Sequence, residues 1–237
     1  MRPLEGESGF YRVFANGERD LQSLTRNLGD PYQVTQSWIK AFPMNGTLHS
    51  PIEGLLQVMQ QNRLQHTDIE KISASWFKYK DFIAKKDVLT IVSAQASLPY
   101  AIAATAVRGK CTVEEFSDQA LNDPIVRAML HRVEVYDDPA LYERAGRKSV
   151  PGRVTVQTKN GQTFTEEVTY PKGNPQNPMS EQELQDKFAN LTHGVLSDAS
   201  RAAIYQQIMD LDNASDLSGI LALCAASELG GDITWNA

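Results

Sequence analysis

At 237 residues the chain is long enough to bury a substantial core, organised as one large domain or two small ones. The apolar fraction of 41% and the charged fraction of 22% are ordinary for a globular protein. A net charge of −6 argues against nucleic acid or an anionic membrane surface as the main partner, because both favour clustered lysine and arginine.

The first quarter of the chain shows helical periodicity interrupted by one extended stretch. Leucines at helical spacing predict a helix in the first 30 residues, which Gly29 ends. Residues 32–42 read as extended chain. Pro51 suits the first turn of the next helix, whose apolar face predicts that it continues to about Asn62.

The middle of the chain mixes strands and helices. Alternating apolar and polar residues predict a strand over 71–79, and a second strand follows at 132–136. The alanine-rich segment 92–107 is predicted to be one buried helix, with Pro99 tolerated near its first turn. Asp123 and the proline after it predict the start of a further helix.

Residues 153–170 predict a β-hairpin that turns at Asn160-Gly161. A two-residue turn would place Val156 opposite Thr165, whereas a three-residue turn places Val156 opposite Phe164. The three-residue turn keeps the apolar side chains of both strands on one face. We therefore predict that turn, with Gly161 in the left-handed conformation.

A proline-rich segment, residues 171–178, separates the hairpin from a tail with a purely helical pattern. Helices, then mixed elements, then helices again predict an α+β protein with a central α+β unit and helical flanks. The terminal helices are too few to enclose a core. They therefore require either the central unit or another chain.

Neither the cysteines nor the histidines form a metal-binding pattern. Cys111 and Cys224 lie far apart, and the four histidines do not cluster. No apolar run approaches the roughly 20 residues that span a bilayer, and the polar N-terminus is unlike a signal peptide. We expect a cytoplasmic protein with reduced thiols, no metal, and neither nucleic acid nor membrane as a partner.

Four motifs resemble, in the same order, those of the MmgE/PrpD family of cofactor-free lyases and isomerases. The first is Lys40-Ala-Phe-Pro-Met-Asn-Gly-Thr-Leu-His, a loop that leads into an amphipathic helix. The others are Ala94-Gln-Ala-Ser-Leu-Pro-Tyr-Ala, Asp123-Pro-Ile-Val-Arg-Ala-Met and Tyr170-Pro-Lys-Gly-Asn-Pro-Gln-Asn-Pro-Met-Ser. Each motif alone is weak, but four in order are specific, and they extend over nearly the whole chain.

The resemblance implies an enzyme with an all-helical domain, a smaller α+β lid domain, and an active site between them. It assigns residues 36–172 to the lid, and residues 1–35 and 173–237 to an incomplete helical domain. About the first half of a family member has no counterpart here. The implied function is cofactor-free acid/base chemistry on a small di- or tricarboxylate. An all-helical partner chain, a homodimer, or both would complete the site.

Three residues of the first motif are the candidate site. Lys40, at the family's lysine, is expected to pair with a substrate carboxylate and stabilise charge that develops during proton abstraction. The alternative for Lys40 is a solvated residue at a strand end. His49, at the family's histidine, is a candidate acid or base, or else a residue that caps the helix or holds the loop.

Asn45 and Ala96 depart from the family pattern. Asn45 stands where some decarboxylating relatives carry a catalytic histidine, and because an amide does not titrate, Asn45 could only orient a substrate. Ala96 replaces a phenylalanine, which implies lost packing volume or an altered pocket. Both changes favour an alternative function, a non-catalytic binding or interaction module. Lys40 and His49 favour the enzyme.

Overall fold

The computed structural model describes residues 3–4, 6–7, 9–15, 20, 22, 25–30, 32–76, 80–145 and 149–225. The chain divides into two units, Met1–Ser37 and Trp38–Ala237. The described residues of the first unit include a short helix, α1, over Phe10–Phe14 and a 3-10 turn over Gln33–Gln36. The predicted helix of the first 30 residues falls largely outside the described residues, and residues 25–29 form turns.

The extended chain predicted over 32–42 is wrong at its start. The Thr35 hydroxyl donates a hydrogen bond of 2.7 Å to the Tyr32 carbonyl, and this side-chain bond closes the Gln33–Gln36 turn. Residues 37–40 are extended but belong to no strand.

A four-stranded sheet is the centre of the second unit. Its strands are β1, Ile69–Trp76; β2, Val133–Asp137; β3, Gly152–Thr158; and β4, Thr163–Val168. Their order is β2-β1-β3-β4, with β1 and β2 parallel and the other pairs antiparallel. Alternate side chains such as Ile72, Ala74 and Val156 are buried on one face, as the period of two predicts.

The hairpin has the predicted register. Val156 lies opposite Phe164, and Val154 lies opposite Glu166. Gly161 has a φ of +86°, in the left-handed region that a three-residue turn requires. The hydrophobic pattern was sufficient to choose this register over the two-residue turn.

The described helices of the second unit precede, separate and follow the strands along the chain. They are α2, His49–Gln61; α3, Ile91–Gln95; α4, Leu98–Arg108; α5, Asp118–Leu121; α6, Pro124–Leu130; α7, Pro139–Ala145; α8, Glu181–Thr192; α9, Asp198–Met209; and α10, Ser218–Ala225. Helix α2 packs on β3 and β4, and α4 packs on α2, α6 and β2. A sheet with parallel and antiparallel pairs, together with these helices, confirms the predicted α+β class. The predicted domain boundaries stay a prediction.

The single helix predicted over 92–107 is wrong, because the chain breaks into α3 and α4 at Ala96 and Ser97. The Ser97 hydroxyl accepts a hydrogen bond from the Tyr100 amide and donates one of 2.6 Å to the Lys85 carbonyl. This cap starts a new helix, so Pro99 lies in its first turn and costs no helical hydrogen bond.

None of the described helices is long and apolar enough to cross a membrane.

Candidate functional site

The first motif forms an irregular loop before α2, and we name residues 40–48 the lysine loop. Lys40 is exposed, whereas Met44 and Leu48 are buried and anchor the loop in the core. The side-chain oxygen of Asn45, Oδ1, accepts hydrogen bonds from the backbone amide and the hydroxyl of Thr47, at 3.1 and 2.9 Å. Asn45 therefore caps the last turn of the loop, which leaves its amide nitrogen to contact a ligand.

Helix α3 holds the lysine loop from one side. The Gln95 side-chain amide donates a 2.9 Å hydrogen bond to the Pro43 carbonyl. The Gln95 carbonyl accepts a 3.0 Å hydrogen bond from the Asn45 amide. Because Gln95 belongs to the second motif, these bonds join the first and second motifs in the fold.

A second attachment comes from residues 170–177, which we name the glycine turn. The Gly173 carbonyl accepts a 3.0 Å hydrogen bond from the amide of Ile39, the residue before Lys40. Glu53 of α2 fixes this turn, because its carboxylate accepts hydrogen bonds from the Lys172 amide at 2.5 Å and the Asn177 side chain at 3.4 Å. The glycine turn, expected from sequence to be a linker, thus positions the start of the lysine loop.

Gly173→Ala should destabilise the protein more than Gly161→Ala. Both glycines have a positive φ, of +88° and +86°, so alanine costs about 1–2 kcal/mol at either position. At Gly173 a Cβ would also lie 1.8 Å from the Ile39 carbonyl oxygen, whereas at Gly161 it would meet nothing within 4 Å. Urea denaturation should therefore show at least twice the loss for Gly173→Ala. Equal losses would show that the Gly173–Ile39 contact is loose in solution.

His49 is enclosed by the protein. It is 1% exposed, its ring meets Phe42 edge-on at 5.1 Å, and none of the described residues bonds its Nε2 atom. The pKa of His49 is lowered from 6.5 to about 4. Burial is the main cause, the charges of Lys40 and Lys187 add to the lowering, and hydrogen bonds with the Met44 and Phe42 backbone oppose it. His49 is therefore neutral at pH 7 and has no route to a ligand in this conformation.

The stability of the protein should fall as the pH drops from 7 to 5. The folded-state pKa of His49 is about 4 against 6.5 in the unfolded chain, so the unfolded chain binds more protons in this window. Neutral, buried His49 contributes to the free energy of unfolding above pH 6.5. About 2 kcal/mol of this contribution should be lost by pH 5.

Urea denaturation at both pH values measures this loss, with His49→Gln expected to remove it. His131→Gln, at an exposed histidine, is the matched control and should keep the wild-type difference. An unchanged pH dependence in His49→Gln would show that His49 is solvated.

A cavity of about 440 Å³ borders the lysine loop. Lys40, Asn45, Gln95 and Lys187 line it with polar groups, and Val92 and Ala96 are among its apolar residues. His49 does not line it. The structure thus brings two of the three predicted residues, Lys40 and Asn45, to one cavity, and Ala96 at its wall favours an altered pocket over lost core packing.

Lys187 was missed by the sequence reasoning. It lies on α8 within the stripe formed by Leu184, Phe188 and Leu191, and a lysine on an apolar stripe was the available sequence signal. The structure shows that Lys187 is half-buried. Neither Lys40 nor Lys187 forms an ion pair or hydrogen bond with the described residues. Two unpaired cations beside a cavity form a site suited to an anion.

In the described part of the chain, no three metal-ligating side chains converge.

Residues 42–211 match the MmgE/PrpD C-terminal domain. The chain belongs to the MmgE/PrpD family. This confirms the family that the four motifs indicated. Asn45, His49 and Lys187 lie within the matched region, and Lys40 lies two residues before it.

Curated relatives in this family are cis-aconitate decarboxylases and a similar protein. The cis-aconitate decarboxylase-like protein oryM of Aspergillus oryzae is 25% identical over 91% of this chain and 47% of its own length. The cis-aconitate decarboxylase of Aspergillus terreus is 23% identical over the same shares, and that of Mus musculus is 28% identical over 54% of this chain and 26% of its own length. The chain spans about half the length of the Aspergillus relatives.

Proposed function

We propose that this chain is the C-terminal half of a cofactor-free MmgE/PrpD lyase or isomerase that acts on a small di- or tricarboxylate. The observation on which this rests is Lys40, an exposed lysine at the family's motif position that has no ion-pair partner among the described residues and borders a cavity of about 440 Å³. Relatives named for decarboxylation of cis-aconitate, a tricarboxylate, support the substrate class.

Lys40 would act on the charge that proton transfer creates. Removal of a proton from a carbon next to a carboxylate delocalises negative charge onto that carboxylate, and the Lys40 ammonium would stabilise it there. An exposed ion pair contributes little in water, and its contribution rises when water is excluded. Lys40 therefore needs a covering domain to act at full strength.

Asn45 and His49 would support the lysine without transferring protons themselves. The Asn45 oxygen is held by Thr47, so its amide nitrogen is the group that would donate a hydrogen bond to a substrate oxygen. Burial of His49 favours its structural role, in which it holds the loop, over proton transfer. We assign the general base and the proton donor to the half of the fold that lies outside these residues.

Exposed apolar side chains support a covering half. On the C-terminal helices Met209 and Leu221 are 58% and 66% exposed, and beside the cavity Val92 is 75% exposed. Exposed apolar side chains that form contiguous patches mark interaction surfaces. We propose that an all-helical half covers them, supplied by a partner chain or by another part of the same polypeptide, with a second copy as the alternative.

The test is to assemble the two halves and assay them. The chain would be co-expressed with the N-terminal half of the Aspergillus terreus cis-aconitate decarboxylase, and the purified complex incubated with cis-aconitate, 2-methylcitrate and related acids without added metal. We expect the complex to consume at least one of these acids, and proton NMR would measure that consumption. The control complex contains that relative's own C-terminal half. A folded complex that is inactive on every acid, while the control is active, would contradict the proposal.

The second candidate is a binding module without turnover. Asn45 favours it, because this loop has an amide where some decarboxylating relatives have a titratable histidine. The same assembly separates the two functions. Saturable binding of a tricarboxylate without any product would favour the module.

A further inference from the structure

We propose that Lys187 and Lys40 together form a two-cation subsite that binds a ligand with two carboxylates and selects it over a monocarboxylate. The inference deepens the proposed function by naming a second residue and the part of the substrate that it recognises. It rests on that function for the ligand class alone, since its test is binding and not turnover.

The elements around the cavity fix Lys187 relative to Lys40. Helix α8 begins at a capping box between Ser180 and Glu183, so its first turn is well defined. Glu183 also pairs with Lys172 at 3.4 Å, which attaches α8 to the glycine turn. Because the same turn bonds the residue before Lys40, one segment positions both lysines.

The carboxylates near Lys187 already have other partners. Glu183 bonds the Ser180 amide at 2.7 Å, and Asp186 accepts a 2.9 Å hydrogen bond from Gln182. A second cavity, of about 420 Å³, is also lined by Lys187 and by these two carboxylates together with Glu53. The Glu53 carboxylate accepts a hydrogen bond from the Lys172 amide. None of these carboxylates lies within ion-pair distance of Lys187, so its charge remains uncompensated within the described residues.

An uncompensated and half-buried cation is costly, and a bound anion would remove that cost. Burial lowers the pKa of Lys187, and repulsion from Lys40 lowers it further. A ligand with one carboxylate would relieve only one of the two lysines. A dicarboxylate would pair with both and remove the repulsion between them.

The rest of the cavity suits a short carbon chain with polar ends. Val92, Ala96 and Leu191 are among the apolar lining of the cavity, and the side-chain nitrogen of Asn45 is a further donor. A volume of about 440 Å³ is within the range of small-molecule sites. The alanine at 96 leaves space that a phenylalanine would fill.

The experiment compares succinate with butyrate, which have equal carbon number and differ in one carboxylate. Each would be titrated into the isotopically labelled chain at 0.15 M salt, approximately physiological ionic strength, with backbone amide shifts of the lysine loop and α8 as the readout. We expect succinate to bind about tenfold more tightly than butyrate, because its second carboxylate can form a charge-assisted contact with the half-buried Lys187, and such a contact is worth about that factor. Equal affinities, or no succinate shifts at these residues, would overturn the proposal.

Variants assign the preference to Lys187. Lys187→Met should bring the succinate affinity within about twofold of the butyrate affinity, and Lys187→Arg should keep most of the preference. Lys159→Met, in the hairpin turn, is the matched control and should bind like the wild type. A folded Lys187→Met protein that keeps the full preference would overturn the role of Lys187. Loss of preference with turnover intact in the assembly would leave the proposed function standing.

Discussion

The 237-residue chain alone should turn over cis-aconitate and 2-methylcitrate at less than about 10⁻⁵ of the rate of the complete assembly. A general base must lie about 3 Å from the proton that it removes. The polar groups at the cavity are two lysines and two amides, and His49 is buried and neutral. Proximity and orientation are worth about 7–11 kcal/mol, which corresponds to five or more decades in rate.

Proton NMR of each acid, incubated with the chain alone and with the assembly at equal concentration, measures this difference. The chain alone should also be assayed over a range of concentrations. Turnover that rises with the square of the concentration would show that a second copy completes the site. Turnover proportional to concentration would contradict the expectation, because it would mean that this chain holds a complete set of groups.

Within an active assembly, Lys40→Ala should lower kcat/KM by about two to three decades. Removal of a group that stabilises developing charge typically costs about 3–4 kcal/mol in the transition state. Lys40 is exposed and forms no hydrogen bond or ion pair with the described residues, so its loss should leave the fold unchanged. Steady-state kinetics with a thermal melt of each variant separate chemistry from stability.

Lys85→Ala is the matched control, since Lys85 is an exposed lysine on another loop of the same unit. It should retain wild-type kinetics. Lys40→Arg should retain part of the activity, because it keeps the charge but changes its shape and reach. Wild-type activity in Lys40→Ala would establish the alternative reading, in which Lys40 is a solvated residue at the end of an extended segment.

Local patterns predicted the elements whose causes are local. The apolar face of α2 and the alternation in β3 and β4 were enough to place those elements and the hairpin register. The break between α3 and α4 was missed because the alanine-rich composition favoured one continuous helix. The local start signal is Ser97, an N-cap residue two positions before Pro99.

At the candidate site, residues of the motif were predictable from the sequence, whereas burial and the packing of distant helices were not. The lysine loop was predicted from its motif, and the structure brings Lys40 and Asn45 to one cavity. The burial of His49 was not predictable, because a histidine at a helix start fits both a solvated and a core position. Lys187 was missed because only the packing of α8 brings it to the cavity, 147 positions after Lys40 in the chain.

The central claim is that Lys40 binds a carboxylate of the substrate in a site closed by an all-helical half. The most direct measurement is a crystal structure of the assembly with a non-reactive tricarboxylate such as tricarballylate. The account predicts a ligand carboxylate within hydrogen-bond distance of the Lys40 ammonium, about 2.7–3.2 Å, at the cavity beside Asn45. A ligand bound elsewhere, with Lys40 still in water, would contradict it.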